Sequence, residues 1–272
     1  MQQRLTELTA AVEQAATSLR GGYQAEELYA LRVGMRRIRS LLKPLDSTRS
    51  RQFRKAWGGF AAVTNRARDW DVFLLAAREM LPSAGFAPFE ARNRRHVDSF
   101  HEAVTELVES APWHRHLQQW RQYLERPGHA DGEFMAPGSL GRALSGARTA
   151  LAAALASGDD HDWHKLRIAV KEVRYQAESG VGGLPASPEQ AELIEQCKPL
   201  QSMLGSWHDC VVQLQILDEL ESAAEHGPLR EVIDHKRVQG LAEIQQTVIG
   251  HPLFEASGDS ATSARSASSS GS

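Results

Sequence analysis

The chain has 272 residues, of which 42% are hydrophobic, and its formal net charge at pH 7 is −3. This length allows one large domain or two domains of about 100–150 residues each. No apolar run approaches the roughly 18 residues of a membrane span, and "MQQRLTELTAAVEQ" lacks a secretory-signal pattern, so we expect a cytoplasmic protein with no membrane partner.

Helical periodicity covers nearly the whole chain, with no convincing run of alternating apolar and polar residues. Turn-forming residues divide this pattern into about eight or nine helices, two of which, 50–80 and 188–222, exceed 20 residues. The predicted breaks are at 20–22, 44–50, 81–88, 125–139, 156–160, 179–188, 226–228 and 250–252. The sequence therefore predicts an all-α protein.

Positive charge is concentrated in one early segment. Between Leu28 and Arg68 eleven basic residues stand against one acid, so this segment carries +10 and the rest of the chain −13. A molecule with two such oppositely charged regions is expected to bind an anionic partner through the basic one.

The first predicted helix of this segment has a cationic stripe. At about 100° per residue, Arg32, Arg36, Arg39 and Lys43 share one side over about 16 Å, whereas leucine, isoleucine and methionine form a separate apolar face. Arginine binds phosphate oxygens through two parallel hydrogen bonds and stays charged near neutral pH. The alternative is a solvated face, or one paired with acids on neighbouring helices.

The two halves of the chain resemble each other. "ALRVGMRRIRSLL" (30–42) aligns with "KLRIAVKEVRYQA" (165–177) at an offset of 135, and "TNRARDWDVFLL" (64–75) aligns with "LGSWHDCVVQLQ" (204–215) at an offset of 140. An internal duplication explains this better than chance similarity of amphipathic helices. We therefore predict a first half at 1–126, a linker at 127–139, a second half at 140–255 and a disordered Ser-rich tail at 256–272.

The same residues resemble the CHAD domain, the conserved histidine α-helical domain. Its hallmark, roughly H-x-x-R-V-x-x-R-R-x-R, is similar to "HKLRIAVKEVR" (164–174), with Glu172 in place of one arginine, and to "YALRVGMRRIR" (29–39), with Tyr29 in place of the histidine. A later family signature is similar to "ARDWDV" (67–72) and "KPLQSMLGSWHDCVV" (198–212). The resemblance covers about residues 1–255.

The resemblance implies two four-helix bundles related by a pseudo-twofold axis, with a basic cavity between them that binds inorganic polyphosphate. It also implies the cytoplasm and an association with polyphosphate granules. The implied binding residues are Arg32, Arg36, Arg39, His164, Arg167, Lys171, Arg174 and Lys198, to which the stripe geometry adds Lys43. Further candidates are Tyr29, Arg54, Lys55, Arg66, Arg92, Arg95 and His208. Because the second hallmark contains an acid, the first half is expected to be the stronger wall of the groove, that is, its more basic side.

Other functions are less well supported by the residues. Asp69 and Asp71 could act as a carboxylate pair, although an internal salt bridge that orients arginines is the better interpretation, and His161 with His164 is weak evidence for zinc. No nucleotide-binding loop and no nucleophile with an adjacent base appears. We expect neither an enzyme nor a cofactor; the alternatives are a nucleic-acid-binding bundle, or a phosphatase or kinase.

Overall fold

The computed structural model describes residues 1–43, 45, 47–125, 139–178, 187–220 and 226–255. These residues form ten α-helices and no β-sheet. The helices are α1 (Gln2–Gly21), α2 (Ala25–Leu42), α3 (Thr48–Val63), α4 (Asn65–Met80), α5 (Ser83–Glu109), α6 (Ala111–Leu124), α7 (Ser139–Ser157), α8 (Asp160–Glu178), α9 (Pro188–Glu219) and α10 (Gly227–Val248). The all-α prediction is confirmed.

Serine residues begin three of the helices. The side chains of Ser47 and Ser110 each accept a hydrogen bond from the backbone N–H three residues further on. The Ser187 side chain likewise accepts from the Gln190 backbone N–H. The Gln190 side chain in turn accepts from the Ser187 backbone N–H, which completes a capping box. Each cap satisfies an N–H group that the helix itself cannot pair, and is worth about 1 kcal/mol.

The predicted helix 50–80 is in fact two helices, because α3 ends before Thr64 and α4 begins after it. There the backbone turns at φ −84° and ψ −1°, and the Thr64 hydroxyl donates to the carbonyl of Ala61 over 2.8 Å. The guanidinium of Arg32 donates to the same carbonyl and to the same hydroxyl. These side-chain bonds compete with the helical ladder, as threonine hydroxyls do at helix ends.

The predicted break at 81–88 is too long, because α5 already begins at Ser83 and continues through Pro88. Proline removes one ladder hydrogen bond there. Phe86 and Phe89 on either side are buried in a hydrophobic cluster, and this burial offsets the lost bond.

The buried side chains form two bundle cores and a third cluster between them. The first core is built mainly by α1, α2, α3, α6 and the C-terminal part of α5. The second core is built by α7, α8, α9 and α10. The third combines α4 and the start of α5 with the end of α9 and the start of α10, and therefore joins the halves.

Two predicted segments fall largely or wholly outside the described residues. Of the linker at 127–139, only its last residue is described, at the start of α7, and the tail at 256–272 is not described. Within the described part of the chain, every helix is too short or too polar to cross a membrane.

Candidate functional site

A cavity of about 430 Å³ lies between α2 and α4 of the first half and α8 and α9 of the second. We call it the basic cavity. Its lining residues are Tyr29, Arg32, Val33, Arg36, Asn65, Arg68, Asp69, Val72, His164, Arg167, His208, Asp209, Val212 and Gln213. Six of the candidate residues from the sequence are therefore brought together: Tyr29, Arg32, Arg36, His164, Arg167 and His208.

The two repeats line the basic cavity with equivalent positions. Five pairs are related by the sequence offsets of 135 or 140, namely Tyr29 with His164, Arg32 with Arg167, Arg68 with His208, Asp69 with Asp209, and Val72 with Val212. The contacts between them are repeated as well. The Arg68 guanidinium carbon lies 5.2 Å from the Tyr29 ring centroid, and the His164 and His208 ring centroids are 4.5 Å apart. The site is thus built from both copies of the repeat.

The two central arginines are supported differently. Nη1 of Arg32 donates to the Ala61 carbonyl over 3.1 Å, to the Thr64 hydroxyl over 2.5 Å and to Asn65 Oδ1 over 2.9 Å. The break between α3 and α4 supplies these acceptors. The position equivalent to Thr64 is Leu204, a buried residue inside the unbroken helix α9. Arg167 is the counterpart of Arg32 in the second half, and no described residue accepts a hydrogen bond from its Nε.

Burial and mutual repulsion weaken the charged state of the cations. Burial lowers the pKa of Arg32 and of Arg167, and neighbouring arginines lower both further. Lys171 lies beside the cavity, and burial together with the charges of Arg167 and Arg36 lowers its pKa to about 8. Burial and the close packing of like charges have this effect, and the carboxylates of Asp69 and Asp209 oppose it only in part.

Two carboxylates face this cluster, one from each repeat. Burial raises the pKa of Asp69 and of Asp209, although nearby arginines act in the opposite direction. Asp209 is exposed to solvent and lines the basic cavity. The charges of Arg32, Arg66 and Arg68 act to lower the pKa of Asp69, but no described cation lies within 4 Å of its carboxylate. The predicted direct salt bridge is therefore not formed.

Asp69 and Asp71 do not form a carboxylate pair. Asp71 accepts a hydrogen bond from the Tyr23 hydroxyl over 2.6 Å, and its other oxygen lies 3.1 Å from Nε2 of His101. The Tyr23 and His101 rings stack at 3.5 Å. Asp71 thus ties the connection between α1 and α2, at Tyr23, to α5, away from the basic cavity.

The His164 and His208 rings are tilted by 31° to each other, and the pKa of each histidine lies below its usual value. Burial is the largest cause that lowers the pKa of His208, and Arg167 and His164 lower it further, to about 3. Burial and Arg167 also lower the pKa of His164, and its Nδ1 has no hydrogen-bond partner among the described residues. His161 is exposed on α8 and takes no part in this pair.

Besides Lys171, four of the implied binding cations lie outside the basic cavity, beside acids or along other helices. The Arg39 guanidinium packs beside Gly58 of α3. The other three form ion pairs: Lys43 with Glu172 at 2.6 Å, Arg174 with Glu178 at 3.3 Å, and Lys198 with Glu195 at 2.5 Å. The Lys43 pair joins α2 to α8, so it links the halves next to Lys171.

The further candidates also lie elsewhere, except for Tyr29 and His208. Arg66 pairs with Glu219 of α9, which forms a second link between the halves, and its guanidinium lies 5.3 Å from the Phe100 ring centroid. The remaining four lie on α3 and α5 and do not line the basic cavity: Arg54, Lys55, Arg92 and Arg95.

Sequence reasoning missed Arg68, Asn65 and Gln213 as cavity residues. Arg68 had a detectable signal, because it lies in the repeated motif at an offset of 140 from His208. The other two are neutral polar residues whose role depends on how α4 and α9 pack.

The family model described as the CHAD domain matches residues 3–218 of the chain. Among solved structures, the fold is similar to the crystal structure of the CHAD domain from the plant Ricinus communis, with a TM-score of 0.63 and 22% sequence identity. That match covers 92% of this chain and 86% of the plant domain. The search of curated proteins gave no match.

Proposed function

The chain belongs to the CHAD domain family, and from this premise and the geometry of the basic cavity we propose that it binds inorganic polyphosphate without catalysis. Arg32, Arg36, Arg68 and Arg167 would contact the phosphate oxygens directly. Lys171 would add charge from beside the cavity. The first half supplies three of the four arginines, which agrees with the expectation that it is the stronger wall.

The observation that carries the proposal is a group of cations, gathered from both repeats, that Asp69 and Asp209 neutralise only in part. Arg36 lowers the pKa of Arg32, of Arg167 and of Lys171, so these four charges repel one another across the cavity. A polyanion between α2 and α8 would reverse the sign of this interaction. Its phosphates would also accept the charge-assisted hydrogen bonds that arginine forms best.

The shape of the site favours a thin polyanion over a duplex. The major groove of B-DNA alone is about 12 Å wide, so the whole duplex is much wider than this cavity. Proteins bind such a duplex with exposed surfaces that protrude into its grooves. Here the charges line a recessed, partly open volume of about 430 Å³ between helices. An unbranched phosphate chain enters such a space and presents a charge at every unit.

The arrangement of the histidines favours binding over chemistry. A catalytic histidine is normally oriented by a third group that accepts a hydrogen bond from its second ring nitrogen. No described residue does this for Nδ1 of His164. The carboxylates of Asp69 and Asp209 face arginines instead.

Calorimetric titration with long-chain polyphosphate at two salt concentrations tests the proposal. We expect tight binding that weakens at high salt, because bound counterions are released, and that survives competition by duplex DNA and RNA. A parallel assay for released phosphate should detect none. Absence of binding by folded protein, equal competition by DNA, or turnover of polyphosphate would each contradict the proposal.

A further inference from the structure

A second cavity of about 450 Å³ adjoins the basic cavity and shares two of its residues, Tyr29 and Arg68. We call it the side cavity. Its other lining residues are Ala25, Glu26, Asp71, Leu74, Leu75, Arg78, Phe86 and Glu90. Because Arg68 lies over the Tyr29 ring and both residues line both cavities, these two side chains mark the junction of the cavities.

The side cavity has a different chemistry from the basic cavity. Its surface is mostly apolar, and 62% of Leu75 is exposed, the second-highest value among the large hydrophobic side chains of the described residues. Three carboxylates outnumber its two arginines, so a run of phosphates would not continue into it. The volume is nevertheless within the range of small-molecule sites, about 300–1,000 Å³.

Flat surfaces border the side cavity. The Tyr29 ring is 52% exposed, and the Arg78 guanidinium carbon lies 5.1 Å from the Phe86 ring centroid. Aromatic rings and guanidinium planes are the surfaces on which nucleobases stack. The carboxylates of Glu26 and Glu90 are acceptors for an exocyclic amino group, as acidic side chains are for amino groups of bases.

We propose that the two cavities together bind a nucleoside triphosphate with an amino-bearing base, the phosphates lying in the basic cavity and the base in the side cavity. This inference rests on the proposed function, because the same cations bind the phosphates. The junction at Tyr29 and Arg68 would then lie where the phosphates give way to the nucleoside. The site would thus distinguish an organic triphosphate from an inorganic one.

The experiment compares ATP with inorganic tripolyphosphate by calorimetry in magnesium-free buffer, with long-chain polyphosphate titrated in parallel. Both short ligands have three phosphates and ATP does not carry the larger charge, so electrostatics alone gives ATP no advantage. We expect ATP to bind at least about fivefold more tightly, the lower end of what stacking contributes.

Two matched variants locate the advantage. Leu75→Gln should reduce the ATP preference and leave tripolyphosphate affinity unchanged, because Leu75 gives apolar surface to the side cavity and does not line the basic cavity. Leu155→Gln is the control, since Leu155 is a 50% exposed leucine on α7 that lines neither cavity, and it should change nothing.

Three results would overturn the inference. Tripolyphosphate that binds as tightly as ATP would reject the side cavity and leave the polyphosphate proposal intact. An ATP preference that Leu75→Gln does not reduce would place the base elsewhere. Failure of long-chain polyphosphate to bind would reject the proposed function, and this inference with it.

Discussion

Arg36 and its neighbour Arg37 offer a sharp test of whether position or total charge determines binding. Both are exposed arginines in the middle of α2, but only Arg36 lines the basic cavity. Arg36 also lowers the pKa of Lys171 and of Arg167 on the opposite helix, whereas Arg37 is not among the main charges that act on either. The variants Arg36→Gln and Arg37→Gln therefore remove the same charge from two different places.

Losing a hydrogen bond to a charged partner costs about 1.5–3 kcal/mol. For Arg36→Gln we therefore expect an affinity for long-chain polyphosphate that is roughly 10- to 150-fold weaker. The slope of log affinity against log salt should fall by about one unit, as for any lost phosphate contact. For Arg37→Gln the loss should stay below about fivefold, the value of an exposed, screened charge.

Calorimetry at several salt concentrations measures these quantities, and NMR titration of the lysine side chain adds an independent readout. Since Arg36 depresses the pKa of Lys171, Arg36→Gln should raise that pKa above its present value of about 8, and Arg37→Gln should leave it unchanged. Equal losses of affinity in both variants would refute the cavity and leave only a general charge effect.

Three more outcomes follow from the contacts. Glu172→Gln frees Lys43 from its 2.6 Å ion pair and should strengthen polyphosphate binding about threefold or more, and unchanged or weaker binding in calorimetry would refute a competing acid. Affinity should fall as pH rises through about 8, where Lys171 loses its proton, and Lys171→Arg should flatten this profile; a wild-type profile that is flat would refute it. In thermal unfolding, Gly34→Ala should destabilise by about 1–3 kcal/mol, because the new methyl overlaps a valine methyl of α1. Gly59→Ala meets no neighbour within 4 Å and should stabilise by about 0.5–1 kcal/mol, so equal effects of the two would contradict this packing.

The sequence predicted the elements of the fold well where the pattern is local. Apolar spacing identified helical structure throughout, and the internal offsets identified the positions that line the cavity from both sides. It could not show that α3 and α4 are separate helices. That break depends on Thr64 meeting the Arg32 side chain from another helix, and such a tertiary contact leaves no mark in the local pattern.

The site was predicted in part for a similar reason. The helical phase correctly grouped Arg32 with Arg36, yet it also included Arg39 and Lys43, which lie on the same stripe but beyond the cavity. The position of a residue on the stripe of α2 does not show where the helix on the opposite side of the cavity moves away from it. Arg68 entered the cavity because α4 packs against α9 there, a contact that the composition of α4 alone does not reveal.

A crystal structure of the protein with tripolyphosphate would test the central claim most directly. We predict phosphate density between α2 and α8, with oxygens within hydrogen-bond distance of Arg32, Arg36 and Arg167. Phosphate bound only on the outer face of α2, at Arg37 and its exposed neighbours, with the basic cavity filled by water alone, would contradict the account.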